Sequence, residues 1–125
     1  MNAEKPLLMK LVAQPAGNPE VDFPRPERRV TGNPERRTWN LVDEAIDAGR
    51  RVFTGIWQCE PGRWKITMAP GNHELFTVLS GRCRVHAADG SHVEAGPGEA
   101  VYMAPGFDGE FEVLESLSKS YMIIE

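Results

Sequence analysis

The chain has 125 residues and a net charge of −4, which suits one domain with a single core. So mild a charge makes no global case for nucleic acid or an anionic membrane as partner, and no apolar run is long enough to cross a bilayer. Near the N-terminus only Leu7, Leu8 and Met9 form an apolar patch, too short for a signal-peptide core, so a cytoplasmic location is expected. Two cysteines, Cys59 and Cys83, fit free thiols better than a disulfide framework. Ten prolines and twelve glycines predict short strands with many turns.

Residues 5–12 have a mixed pattern that suits a strand or an arm. Residues 14–34 then carry Pro15, Pro19, Pro24, Pro26 and Pro34 with Gly17 and Gly32. That density forbids a regular helix or a central strand. It predicts that residues 1–35 form an extended arm on a surface, either the chain's own or a partner's. The arginines of this region, Arg25, Arg28, Arg29, Arg36 and Arg37, are offset by Glu20, Asp22, Glu27 and Glu35. An RNA- or phosphate-binding patch is one reading. Alternating signs and few interleaved aromatics favour the other, a solvated tail with mixed ion pairs.

Residues 43–49 predict a short helical turn ending at Gly49. From Val52 the texture becomes strand-like. Residues 52–59 put Phe53, Gly55, Trp57 and Cys59 on one face by the period of two. After Pro61-Gly62, residues 63–68 alternate Trp64, Ile66 and Met68 with Arg63, Lys65 and Thr67. After Pro70-Gly71-Asn72, residues 74–81 form the stretch that organises the rest. Glu74 opens a dense apolar and β-branched run, and Gly81 predicts a turn at its end. A carboxylate at the mouth of a buried strand is costly unless paired or used. Residues 82–87 and 92–95 flank an Asp89-Gly90 hairpin signal, and residues 100–103, 111–114 and 119–124 complete the series. Many short strands between Gly/Pro turns predict an antiparallel sandwich or barrel.

Glu74 and Gly81 stand at the Glu-to-Gly spacing of the first cupin motif, which runs Gly, five residues, His-x-His, three or four residues, Glu, six residues, Gly. Gly98-Glu99 and Gly106 match the glycines and acidic position of the second motif, with proline displaced to Pro105. Further points are Gly55-Ile56-Trp57-Gln58-Cys59, Pro61-Gly62, Val78-Leu79, Phe107, Val113-Leu114-Glu115 and Lys119-x-Tyr121. On these residues the chain resembles the cupin superfamily. Within it, the chain is similar to small bacterial cupins like the domain of (S)-ureidoglycine aminohydrolase and the ethanolamine-utilisation cupins. The resemblance implies an all-β fold, an antiparallel double-sheet jelly-roll barrel over residues 36–125, behind the extended arm. The first motif's two histidines would fall among Thr67, Met68, Ala69 and Pro70, and the second motif's histidine at Gly109. Glu74 alone remains of the expected ligand set, so no metal and no cofactor is expected.

Glu74 is the candidate catalytic residue, as general acid or base. Candidate ligand-binding residues are Trp57, Cys59, Glu74, Lys119 and Tyr121. Each has a plainer alternative. Trp57 and Tyr121 suit either core or pocket wall. Cys59 suits a nucleophile or a small buried thiol. Glu74 and Lys119 suit a pocket floor or a structural ion pair. His86 and His92, across the hairpin, suit polar surface better than a metal site. Two functions follow. One is an enzyme acting on a small nitrogenous or carboxylate metabolite, ureidoglycine aminohydrolase-like by resemblance. The other is a non-catalytic binding or sensor cupin. Leu7, Leu8, Leu11 and Val12 need a hydrophobic partner, which predicts a homodimer made through the arm.

Overall fold

The structure is a computed structural model, and it describes residues 6–125. Among these residues nine strands follow one another. They are β1 (Glu20–Asp22), β2 (Arg29–Thr31), β3 (Arg36–Ala45), β4 (Arg51–Cys59), β5 (Gly62–Thr67), β6 (His73–Ala87), β7 (His92–Ala95), β8 (Ala100–Met103) and β9 (Asp108–Ile124). All pairings are antiparallel. This is the curled, double-layered β architecture of a cupin jelly roll.

Two long strands generate the two layers. The first half of β6 pairs with β8 and with the second half of β9, which continues through β4 and β3 to β1. The second half of β6 pairs with β7 and with the first half of β9, which continues through β5 to β2. Between the halves the β6–β9 register shifts three times, from Val78 to Cys83. Such bulges bend and twist a strand pair. Gly81 sits at this corner with φ of 83°, and a Cβ there would lie 2.1 Å from the Ser116 carbonyl oxygen. The expected turn at Gly81 is therefore a bend inside one continuous strand. Glycine punctuates a run equally well as turn or bulge.

Alternation then fills the interior. Phe76 and Val78 of β6, Phe111, Val113, Leu117 and Tyr121 of β9, and Cys59 and Trp64 are all buried in one core cluster. Contacts such as Trp57–Trp64 and Phe76–Phe111 join the two layers.

One local expectation needs correction, and two open alternatives narrow. Strand structure begins before Val52: β3 runs through Asp43 and Ala45, and only a 3-10 turn at Asp47–Gly49 remains of the predicted helical turn. Pairing along β3–β4 outweighs the helical propensity of this short polar stretch. Of the stretch expected as strand or arm, residues 6–12 form no strand, and Lys5 lies outside the described residues. The proline-rich segment is also tied to its own barrel. The β1 strand adds to β3, and β2 adds to β5. The Trp39 indole N–H donates to the Gly17 carbonyl at 3.0 Å, and the Gln58 amide donates to the Ala13 carbonyl at 3.4 Å. Ile56 points away from the core cluster, yet it is 0% exposed. It pairs with Trp39 in the ladder and lies two residues from Gln58, so the segment 13–17 covers it.

Candidate functional site

Between the layers lies a cavity of about 650 Å³. Inward-pointing β9 residues Lys119 and Tyr121, β4 residue Trp57 and β6 residue Glu74 all line it. Lys119 Nζ donates to Glu74 Oε2 at 2.8 Å. The two side chains are 7% and 13% exposed, so both charges are largely out of water. The ammonium also lies 4.1, 4.6 and 5.0 Å from the ring centroids of Phe76, Trp57 and Phe111. Ring faces carry negative potential and so hold a desolvated cation. One carboxylate and an aromatic cage thus surround the head group of Lys119.

The Tyr121 hydroxyl donates to Asn40 Oδ1 at 2.7 Å. Burial, with smaller contributions from the Glu74 and Glu20 carboxylates, pushes its phenol up to about 12. Tyr121 is therefore a neutral donor at ordinary pH. Cys59 is buried and does not line this cavity. It borders a separate space of about 350 Å³ with Gln58, Ser80 and Ser118. Its thiol donates to the Glu60 carbonyl at 3.2 Å. Burial pushes it up to about 12, against the lowering fields of Arg36 and Lys119. A thiol so high holds little thiolate at neutral pH and is a poor nucleophile.

The candidate set lacked, among other residues lining the larger cavity, a cationic one. Arg36 lines the same space, its guanidinium 5.5 Å from the Trp64 ring centroid. It forms a fork on Asp22, with Nε to Oδ1 at 2.9 Å and Nη2 to Oδ2 at 2.7 Å. The signal for it was β3. Arg36, Thr38 and Asn40 stand opposite Cys59, Trp57 and Gly55, the inward-facing series of β4. Reading residues 36–45 as a strand places all three on the interior face.

A model of the EutQ-like cupin domain matches residues 47–121. The chain belongs to this family. Among solved structures it is similar to a DUF861-family protein of unknown function from Pseudomonas syringae pv. tomato str. DC3000, with TM-score 0.73, 24% identity, and coverage of 90% of this chain and 46% of that one. It is similar to the EutQ protein of Clostridium difficile at TM-score 0.59 and 19% identity, covering 72% of this chain and 62% of that one. It is also similar to a putative ethanolamine utilization protein Q of Salmonella typhimurium LT2, at TM-score 0.59 and 18% identity, covering 86% and 97%. At these identities the likeness is one of fold. The chain spans about half of the Pseudomonas protein and under two thirds of the Clostridium one. No curated protein sequence matches it.

The positions that would carry a cupin metal do not fit one in this EutQ-like cupin. Met68 lines the cavity with a thioether, a soft and weak donor. Thr67 is exposed and its hydroxyl donates to Asp108 Oδ1 at 3.2 Å. Gly109 offers no side chain, and a Cβ there would lie 1.9 Å from the His86 carbonyl oxygen. Glu74 already faces an ammonium, which repels a cation. Among the described residues no group of three His, Cys, Asp or Glu is placed to hold an ion. His86 bonds Glu112 through Nε2 at 2.8 Å, its ring tilted against that of His92 with centroids 5.4 Å apart, and His73 Nδ1 bonds the Tyr102 hydroxyl at 2.7 Å.

Proposed function

We propose that this EutQ-like cupin binds a small nitrogenous or carboxylate metabolite in the barrel cavity, on the Glu74–Lys119 pair. The observation that carries this reading is a charged pair held at a cavity wall inside an aromatic cage. Ligand pockets are mostly apolar with a few placed polar groups that fix orientation. Glu74 brings a second oxygen that the Lys119 hydrogen bond leaves unused, an acceptor for an amino, amide or ureido N–H. Trp57 and Tyr121 would wall the ligand in. A thermal-shift screen of small amides, ureido compounds and carboxylates tests this. Hits expected for the wild type should vanish in Glu74→Gln and Lys119→Met. A broad screen without hits, together with native mass spectrometry that finds nothing retained, would reject it.

A hydrolytic reading is favoured by one specific feature, a carboxylate lining the cavity beside a buried phenol. Glu74 would act as general base on a water that adds to the amine-bearing carbon of a bound ureido metabolite and as general acid to the departing ammonia, in ureidoglycine-aminohydrolase-like chemistry, with Lys119 and Tyr121 as orienting groups. Ammonia release from (S)-ureidoglycine, lost in Glu74→Gln, is its test. Binding without turnover leaves the binding or sensor reading.

A further inference from the structure

We infer that Asp22 occupies the place of a ligand carboxylate on Arg36, so that the cavity recognises a short molecule with a carboxylate at one end and a nitrogenous group at the other. This rests on the reading of the Glu74–Lys119 pair as a ligand station and adds a second station to it.

The two cations sit on neighbouring indoles. Lys119 lies over Trp57 and Arg36 over Trp64, and the centroids of those two rings are 6.2 Å apart. Both stations line one cavity, so a single small molecule can touch both. The stations also differ in kind. Glu74 presents an acceptor, whereas Arg36 presents a planar fork of donors that matches a carboxylate edge-on.

Asp22 now fills that fork, and its hold is weak by construction. It sits on β1, a strand of three exposed residues paired to β3. Its side chain is 63% exposed while that of Arg36 is 20% exposed. Exchanging Asp22 for a ligand carboxylate keeps the shielded guanidinium paired and returns to water a carboxylate that is mostly there already. Pairs with an exposed partner stabilise little, so the exchange costs little. Arg25 and Arg28 line the same cavity and add positive potential for an incoming anion.

The test uses matched probes, acetate and its neutral isostere acetamide, on the isotope-labelled chain. The Arg36 Nε–Hε resonance is assigned by its loss in Arg36→Lys. Acetate should move it and acetamide should not. Asp22→Asn should tighten the apparent acetate Kd about twofold to fivefold, since apparent affinity scales with the competent fraction. Should that variant fold poorly, the wild type supplies the same information: saturating acetate should speed amide exchange at Val21 as β1 lifts. An Arg36 resonance that acetate leaves still, or that acetamide moves equally, overturns the inference, as does weaker acetate binding in Asp22→Asn. The readout involves Arg36 alone. A metabolite hit at Lys119 beside a silent Arg36 sinks this inference only, and an acetate response at Arg36 supports it even where the metabolite screen is empty.

Discussion

Glu74 and Lys119 meet 2.8 Å apart although the ladder sets Lys119 opposite Val78 and Glu74 opposite Ile123. The lysine stem therefore runs along the barrel interior, past Phe76, rather than straight across to its neighbour. Stem and head group are stabilised separately, by packing and by charge. Lys119→Met keeps the packing and leaves the Glu74 carboxylate without its counter-charge. It should cost roughly 3 kcal/mol in chemical denaturation, the low end for breaking a buried pair. Glu74→Gln keeps an acceptor for the ammonium and should cost only about 1 kcal/mol. The double variant should recover part of the Lys119→Met loss. A double-variant loss equal to the sum of the two single losses would mean that the pair has no coupling.

Tyr121 supplies a pH signature. Its folded phenol is raised from 10.0 to about 12, so the folded state favours the protonated form. The stability this contributes is complete below about pH 10 and is lost as pH rises through about 12. Denaturation at about pH 9 and about pH 11.5 should differ by up to about 2 kcal/mol from this group. Tyr121→Phe should flatten that part of the profile and cost about 1 kcal/mol at neutral pH through Asn40.

Gly81→Ala should be among the most damaging single changes in the chain. The left-handed φ of 83° and the 2.1 Å approach to the Ser116 oxygen act together. A loss of more than about 2 kcal/mol is expected from strain and clash at a site that cannot yield without moving β9. Gly90, with φ of 90° and open space around its Cβ position, is the control and should lose less. Melting curves of the two variants check the contrast.

A homodimer through the arm is the expected assembly. Leu7 and Leu8 are exposed, as are Leu75, Tyr102 and Met122, which share one cross-strand row on the outer face. Deleting residues 1–17 should lower the sedimenting mass if the arm joins two copies. The same deletion uncovers Ile56 and should cost about 2 kcal/mol of stability at any oligomeric state. Leu7→Ser/Leu8→Ser leaves the cover of Ile56 in place, so it should weaken the dimer without the loss in melting temperature. An unchanged mass in both variants would exclude the arm from assembly.

The layout of strands from Val52 onward was legible because period-two alternation and Gly/Pro turns are local signals. Glu74, Lys119, Trp57 and Tyr121 could be placed on one interior because all belong to such strands. Arg36 could not, since the residues preceding β3 look like a proline-rich tail and the strand is made by pairing with β4. Gly81 was misread for a related reason: whether a glycine turns a chain or bends it depends on Ser116, which is remote in sequence. Cys59 lies on the predicted inward face, but alternation says nothing about depth, and depth separates it from the cavity.

The position of β9 carries a consequence for biosynthesis. This one segment is the partner of β4, β5 and β6, so neither layer can be completed until residues 108–124 have left the ribosome. The β3–β4 and β6–β7 hairpins can form early, but each must wait with open edges and an uncovered apolar face. Closure by pairings so distant in sequence is slow. The nascent chain is therefore most prone to aggregate just before β9 emerges, and a ribosome stalled short of residue 108 would hold a set of hairpins without a barrel.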